Sequence, residues 1–203
     1  EVIDGPEYAY RCRFQLHDGG LSQKNSNNIV KINKCLCAED SINDYLQNTD
    51  FNKRIKGRVH LFGSKALVSD EKIKFEQIEI EKNKTKTIKT KNTKKIKLKQ
   101  NNHFAGTVLN ENNIVCVKVK NKEISFDVRG FFQSNLYVFE KVIDLICDSL
   151  PGGKNIVDIY AGCGSISCFL ADKYETTTLV EHNRDALVFA EKNMNEKPHV
   201  SYG

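Results

Sequence analysis

From Tyr8 to His17 the chain reads YAYRCRFQLH, alternating aromatic or apolar residues with polar ones. That period of two predicts a half-buried strand. Asp18-Gly19-Gly20 is a turn signal, and Asn28 to Ile32 reads as another short strand. Cys37 to Leu46 (CAEDSINDYL) carries early acids and apolar residues at helical spacing, which predicts a helix. Arg58 to Val68 (RVHLFGSKALV) reads as strand, Gly-Ser turn and second strand, while Ile73 to Ile80 fits either periodicity. Ile114–Lys120 and Glu123–Val128 flank Asn121-Lys122 as the arms of a hairpin. Leu136 to Leu150 places Leu136, Phe139, Val142, Ile143, Ile146 and Leu150 on one helical face, and Pro151-Gly152-Gly153 ends it.

From Asn155 the pattern changes. Ile156 to Tyr160 is nearly all apolar, as expected for a parallel strand covered on both faces. Ile166 to Ala171 opens a helix, Thr177 to Val180 is a second strand ending at Glu181, and Asp185 to Asn193 is a second helix. Val200 to Tyr202 starts a third strand. The expected class is therefore α/β. A central α+β domain over 1–127 precedes the first part of a doubly wound parallel sheet over 128–203.

Composition narrows this picture. With 203 residues, 39% hydrophobic and 28% charged, the chain can bury a core. No apolar run approaches the roughly 20 residues that cross a bilayer, and no secretory signal is visible, so a cytoplasmic location is expected. The seven scattered cysteines suit reduced thiols better than a disulfide scaffold. Cys35 and Cys37 make a CxC pair, which is weak evidence for a metal, and none is expected within the chain. Net charge is +5, but Lys82 to Lys99 alone holds nine lysines and no acid, so the rest of the chain is net acidic. That segment reads as a solvated edge or loop, with a phosphate-contacting patch as the alternative.

The candidate chemistry lies in VDIYAGCGSISCFLA, Val157 to Ala171. Gly162 and Gly164 follow the carboxyl end of a predicted strand, where doubly wound sheets bind ligands. Glu181 ends the next strand, and a carboxylate there can accept both hydroxyls of a ribose. A dinucleotide fingerprint would carry a third glycine where Ser167 stands, and the GxxxxGK[ST] phosphate loop is absent. The Asp-x-x-x-Gly-x-Gly loop with its following acid instead resembles the S-adenosylmethionine site of class I methyltransferases.

RGFFQSN, Arg129 to Asn135, stands ahead of this loop. The two together resemble the uracil-5 RNA methyltransferases, which make 5-methyluridine in tRNA or rRNA. That family carries a phenylalanine-rich FxQxN element and then D-[LI]-[FY]-x-G-x-G. Here these are Phe132-Gln133-Ser134-Asn135 and Asp158-Ile159-Tyr160-Ala161-Gly162-Cys163-Gly164. Tyr10 to Asn43 resembles the family's central-domain opening, while Leu46 to Val128 carries no such match. The resemblance implies S-adenosylmethionine as cofactor, with contacts from Gln133, Tyr160, Gly162, Gly164, Ser165 and Glu181. Ser165 replaces the Asn of some members. Cys35 matches one of four iron–sulfur ligands in some members, so a cluster is expected only in a longer parent chain.

The resemblance also implies a covalent mechanism: a thiolate adds to C6 of uracil, activating C5 toward the methyl, and a base then removes the C5 proton. The nucleophilic Cys and the base are expected beyond Gly203, so the chain is expected to be a fragment lacking catalytic residues and inactive alone. Cys147 and Cys168 read as buried helix-face residues, and Cys163 would crowd the cofactor or point away. Two other readings stay open: a class I methyltransferase for a protein or small molecule, and a non-enzymatic RNA-binding module.

Overall fold

The computed structural model describes residues 2–68, 103–107 and 113–203, the strand 103–107 by its backbone. The ambiguous stretch 73–80 and the lysine segment 82–99 lie outside the described residues. The first part of the chain builds β1 (Arg13–His17), β2 (Leu21–Ser22), β3 (Ile29–Val30) and α1 (Asp40–Asn48). It continues through β4 (Arg58–Phe62) and β5 (His103–Thr107). β4 is central in a three-stranded sheet, antiparallel to β1 and parallel to β5.

β1 is shorter than the alternation of Tyr8–His17 predicts. Ala9 adopts φ +53°, which interrupts the extended run. The residues before Arg13 pair elsewhere: Ala9 N–H donates to Leu36 O, Arg11 N–H to Cys37 O and Cys12 N–H to Ser134 O. Only the first half of Arg58–Val68 is a strand. Beyond Gly63 the chain makes a bridge of Leu67 to Val117. Leu16, Ile42, Leu46, Val59 and Leu61 form the core between this sheet and α1.

β6 (Ile114–Val119) and β7 (Lys122–Asp127) form the expected hairpin. Its turn is Lys120-Asn121, one residue earlier than predicted, because Val119 pairs with Lys122 and Lys120 takes φ +53°. α2 (Leu136–Ser149) follows, with Leu136, Phe139 and Ile143 buried. Phe132, ahead of the helix, stacks on Phe126 at 3.9 Å between centroids and meets Phe62 and Phe139 edge-on. Burying such a ring stabilises by roughly 1.5–3 kcal/mol. The core cluster around it runs from Cys12 and Phe62 through the hairpin to Cys163 and Phe189, so both parts of the chain share it.

The βαβ unit consists of β8 (Gly153–Ile159), α3 (Ser167–Leu170), β9 (Tyr174–Val180), α4 (Arg184–Asn193) and β10 (His199–Tyr202). All three strands are parallel, in the order β10-β9-β8. The expectation of cover on both faces of β8 is corrected: among the described residues one of its faces is open. Val157 and Ile159 pair laterally with Thr178 and Val180, which pair with Val200 and Tyr202. Val157, Ile159, Val200 and Tyr202 are all exposed on that face. Leu179 and Thr177 point the other way and are fully buried.

Candidate functional site

The site is built where β8 and β9 end. Tyr160 leaves β8 with φ +65°, a left-handed conformation uncommon for a bulky residue and typical of constrained functional turns. Two consecutive amides, Tyr160 and Ala161, both donate to Val180 O, at 2.8 and 3.0 Å. The chain then turns through Gly162 at φ +57° and Gly164 at φ +71°.

The two glycines serve different ends. A Cβ on Gly162 would meet nothing within 4 Å, so the backbone faces open space there. A Cβ on Gly164 would lie 3.0 Å from Ala190 Cα, so that glycine lets the loop pack on α4. Gly162 therefore fits close approach by a ligand, and Gly164 fits helix packing.

Glu181 follows β9 and holds this turn. Its Oε2 accepts the Gly162 N–H at 2.8 Å and its Oε1 accepts the Asn183 N–H at 2.7 Å. Each oxygen keeps a further lone pair for a ligand hydroxyl. Asn183 in turn caps α4, accepting from Asp185 and Ala186 N–H. Beneath the turn, Ser167 Oγ donates to Asp158 Oδ2. Burial raises the Asp158 pKa, opposed by the Ser167 hydrogen bond and assisted by the Glu181 charge.

Of the residues expected from sequence, Tyr160, Gly162, Gly164 and Ser165 lie in the loop, and Glu181 is bonded to it. Tyr160 is 84% exposed, so its ring is available as a wall of the site. Ser165 is half-buried at the start of the α3 turn. Gln133 is also half-buried and lies on a separate segment, tied to the loop through the core that Phe132 and Cys163 share. In FFQSN the roles divide by residue: Phe131 is 74% exposed, Phe132 is core, and Asn135 caps α2 by accepting the Val138 N–H.

Sequence reasoning passed over Asp158 with Ser167, and also Asn193. The Asn193 amide donates to Ser125 O and Cys163 O, both at 2.8 Å, and accepts the Ser125 N–H at 2.9 Å. It thereby ties the hairpin to the glycine loop. The signal for Asp158 was its place in the D-x-x-x-G-x-G pattern. Asn193 left none, because its partners lie 68 and 30 residues away.

Two cavities flank Phe131. One, of about 250 Å³, lies between Asp127, Arg129, Cys163, Asn183 and Asp185. The other, of about 230 Å³, is walled by Arg11, Arg13, Gln15, His60 and Phe132. Burial and the neighbouring Arg13 and Arg58 lower the His60 pKa.

The cysteines are poor nucleophiles in this setting. Burial pushes Cys12, Cys163 and Cys168 up to about 12, so each is a protonated thiol at neutral pH. Cys163 points into the core rather than toward the ligand side. Cys35 is half-buried, its N–H donating to Asn43 Oδ1 and its carbonyl accepting from Asn43 Nδ2. Among the described residues no group of three or more His, Cys, Asp or Glu could hold a metal ion.

The chain has relatives among known proteins. Over 94% of its length the chain is 30% identical to an uncharacterized RNA methyltransferase of Treponema denticola. Over its full length it is 28% identical to a tRNA/tmRNA (uracil-C(5))-methyltransferase of Campylobacter hominis. Over most of its length the chain is similar to RNA uracil-C5 methyltransferases. It spans 39% and 60% of those two relatives' own lengths. No family model matches it. The crystal structure of a Pyrococcus abyssi tRNA (uracil-54, C5)-methyltransferase with S-adenosyl-L-homocysteine shares its fold. That match has a TM-score of 0.58 and 14% identity, over 97% of this chain and 56% of the other. That shared fold includes the parallel sheet. Among the described residues no helix is long and apolar enough to cross a membrane.

Proposed function

We propose that this chain holds the methyl donor of an S-adenosylmethionine-dependent enzyme that methylates C5 of a uridine in tRNA or rRNA. The observation that carries the reading is the turn at Gly162. Its backbone faces open space, and the Glu181 carboxylate is fixed beside it by two amides. When bound, the cofactor supplies an electrophilic methyl group. Glu181 would accept the ribose hydroxyls, the Gly162 backbone would admit the ligand closely, and Tyr160 would cover it. Gly164 and Ser165 would complete the loop, and Gln133 would contact the donor from the preceding segment.

RNA as substrate is supported by the family and by the cavity on the other side of Phe131. Arg11 and Arg13 offer phosphate or base contacts there, beside an exposed aromatic ring. In this reading residues 1–127 form the RNA-facing central domain and 128–203 the start of the donor-binding domain, acting in the cytoplasm. The proposal assigns no catalytic nucleophile to these 203 residues, since the buried thiols of Cys12, Cys163 and Cys168 stay protonated. Calorimetric titration with S-adenosylhomocysteine tests it directly: one saturable site is expected, weakened in Glu181→Ala. Absence of binding by the unaltered protein would overturn the proposal. Salt-sensitive binding of unmodified tRNA or rRNA transcripts tests the substrate class.

A further inference from the structure

The segment that carries Gln133 is held from the first sheet. Cys12 and Arg13 stand side by side at the start of β1. The Cys12 N–H donates to Ser134 O at 2.9 Å, and its thiol lies 3.2 Å from Ser134 O and 3.5 Å from Gln133 O. Arg13 Nη2 donates to Val128 O at 3.3 Å and to Gly130 O. Arg11 forms a bridge with Asn135. The gripped carbonyls bracket Phe131, Phe132 and Gln133. Phe132 is locked among Phe62, Phe126 and Phe139, so its neighbours are carried with it. The thiol keeps its proton because it is buried, and it therefore acts as a donor.

Arg13 shows the same priority. Its Nε is buried and has no partner among the described residues, although native structures satisfy the great majority of such donors. The side chain gives up that bond while its Nη2 reaches both carbonyls.

We propose that Cys12 and Arg13 are positioning residues for the methyl-donor site. They hold the backbone on either side of Phe131–Gln133, so the first sheet sets where Gln133 meets the donor. The inference rests on the donor-binding reading above and adds two residues from outside the methyltransferase unit. Neither touches the donor; both act through the carbonyls of the segment they hold.

The test is calorimetric titration of the full 203-residue chain with S-adenosylhomocysteine, with thermal melts in parallel. Were the full worth of one such hydrogen bond felt at the donor, affinity would change about fivefold. Cys12→Ala and Arg13→Gln are each expected to weaken binding by about that factor or more, and Cys12→Ser to restore most of it. Ile42→Val, in the separate core under α1, supplies the control: it lowers the melting temperature and leaves affinity unchanged. Unaltered affinity in both Cys12→Ala and Arg13→Gln, with the parent chain binding normally, overturns the clamp alone. If Cys12→Ala does not fold, half-exposed Arg13 decides the matter through Arg13→Gln. No binding by the parent chain overturns the donor site and the clamp together.

Discussion

Glu181 Oε2 accepts the Gly162 N–H at 2.8 Å, across 19 residues of sequence. This bond joins the acid after β9 to the turn after β8 before any ligand arrives. A site so arranged needs little reorganisation on binding, which favours affinity.

Replacing Glu181 tests that arrangement. Hydrogen bonds to a charged acceptor contribute about 1.5–3 kcal/mol each. Glu181→Ala is expected to weaken S-adenosylhomocysteine binding at least about tenfold, with Glu181→Gln in between. Calorimetry reads both, and an unchanged affinity in Glu181→Ala would remove this residue from the site.

The two glycines should separate binding from folding. Gly162→Ala places a methyl in open space at φ +57°, which strains the backbone by about 1–2 kcal/mol and fills the ligand side. Gly164→Ala adds contact with the backbone of Ala190 at 3.0 Å to a comparable strain. Gly164→Ala is expected to lower the melting temperature more, and Gly162→Ala to lose more donor affinity than its stability loss explains. The reverse ranking would contradict the division of roles.

Asp158 should impose a pH dependence on stability. Its native pKa is raised, chiefly by burial, so the folded state holds the proton more tightly than the unfolded chain. The stabilisation is present at low pH and is lost as pH rises from the ordinary carboxylate range through the raised native value. Urea unfolding across that range is expected to show the slope in the parent chain and a flatter profile in Asp158→Asn. Parallel profiles would show that Asp158 is not the source.

Thiol labelling should follow burial. Cys35 and Cys37 are half-buried, whereas Cys12, Cys163 and Cys168 are buried and held near 12. Iodoacetamide at pH 8 is expected to modify Cys35 and Cys37 first, with mass spectrometry reading the order. Early modification of Cys163 would show that the glycine loop opens in solution.

Much of the fold was legible because its signals are local. The face of α2 through Leu136, Phe139 and Ile143 followed from helical period, and β6 and β7 from their alternation. β1 was over-extended because alternation persists through residues 8–12 although Ala9 turns to positive φ. The apolar run at β8 suggested a doubly covered strand, but burial depends on tertiary neighbours, and among the described residues none covers Val157 and Ile159. In the candidate site, Gly162, Gly164 and Glu181 could be named from spacing. The bonds of Asn193 to Ser125 and Cys163 could not, since no periodicity relates residues so far apart.

By itself the sequence determined the order of elements, the glycine turn after an apolar strand, and the acid after the next one. Each of these is encoded by neighbours within a turn of helix or a few strand residues. Tertiary structure alone decided that Glu181 faces Gly162, that Gly164 packs closely on Ala190, and that Cys12 and Arg13 hold the segment carrying Gln133. Those contacts form only when distant segments share one core, and the stacked rings of Phe126 and Phe132 bring them together.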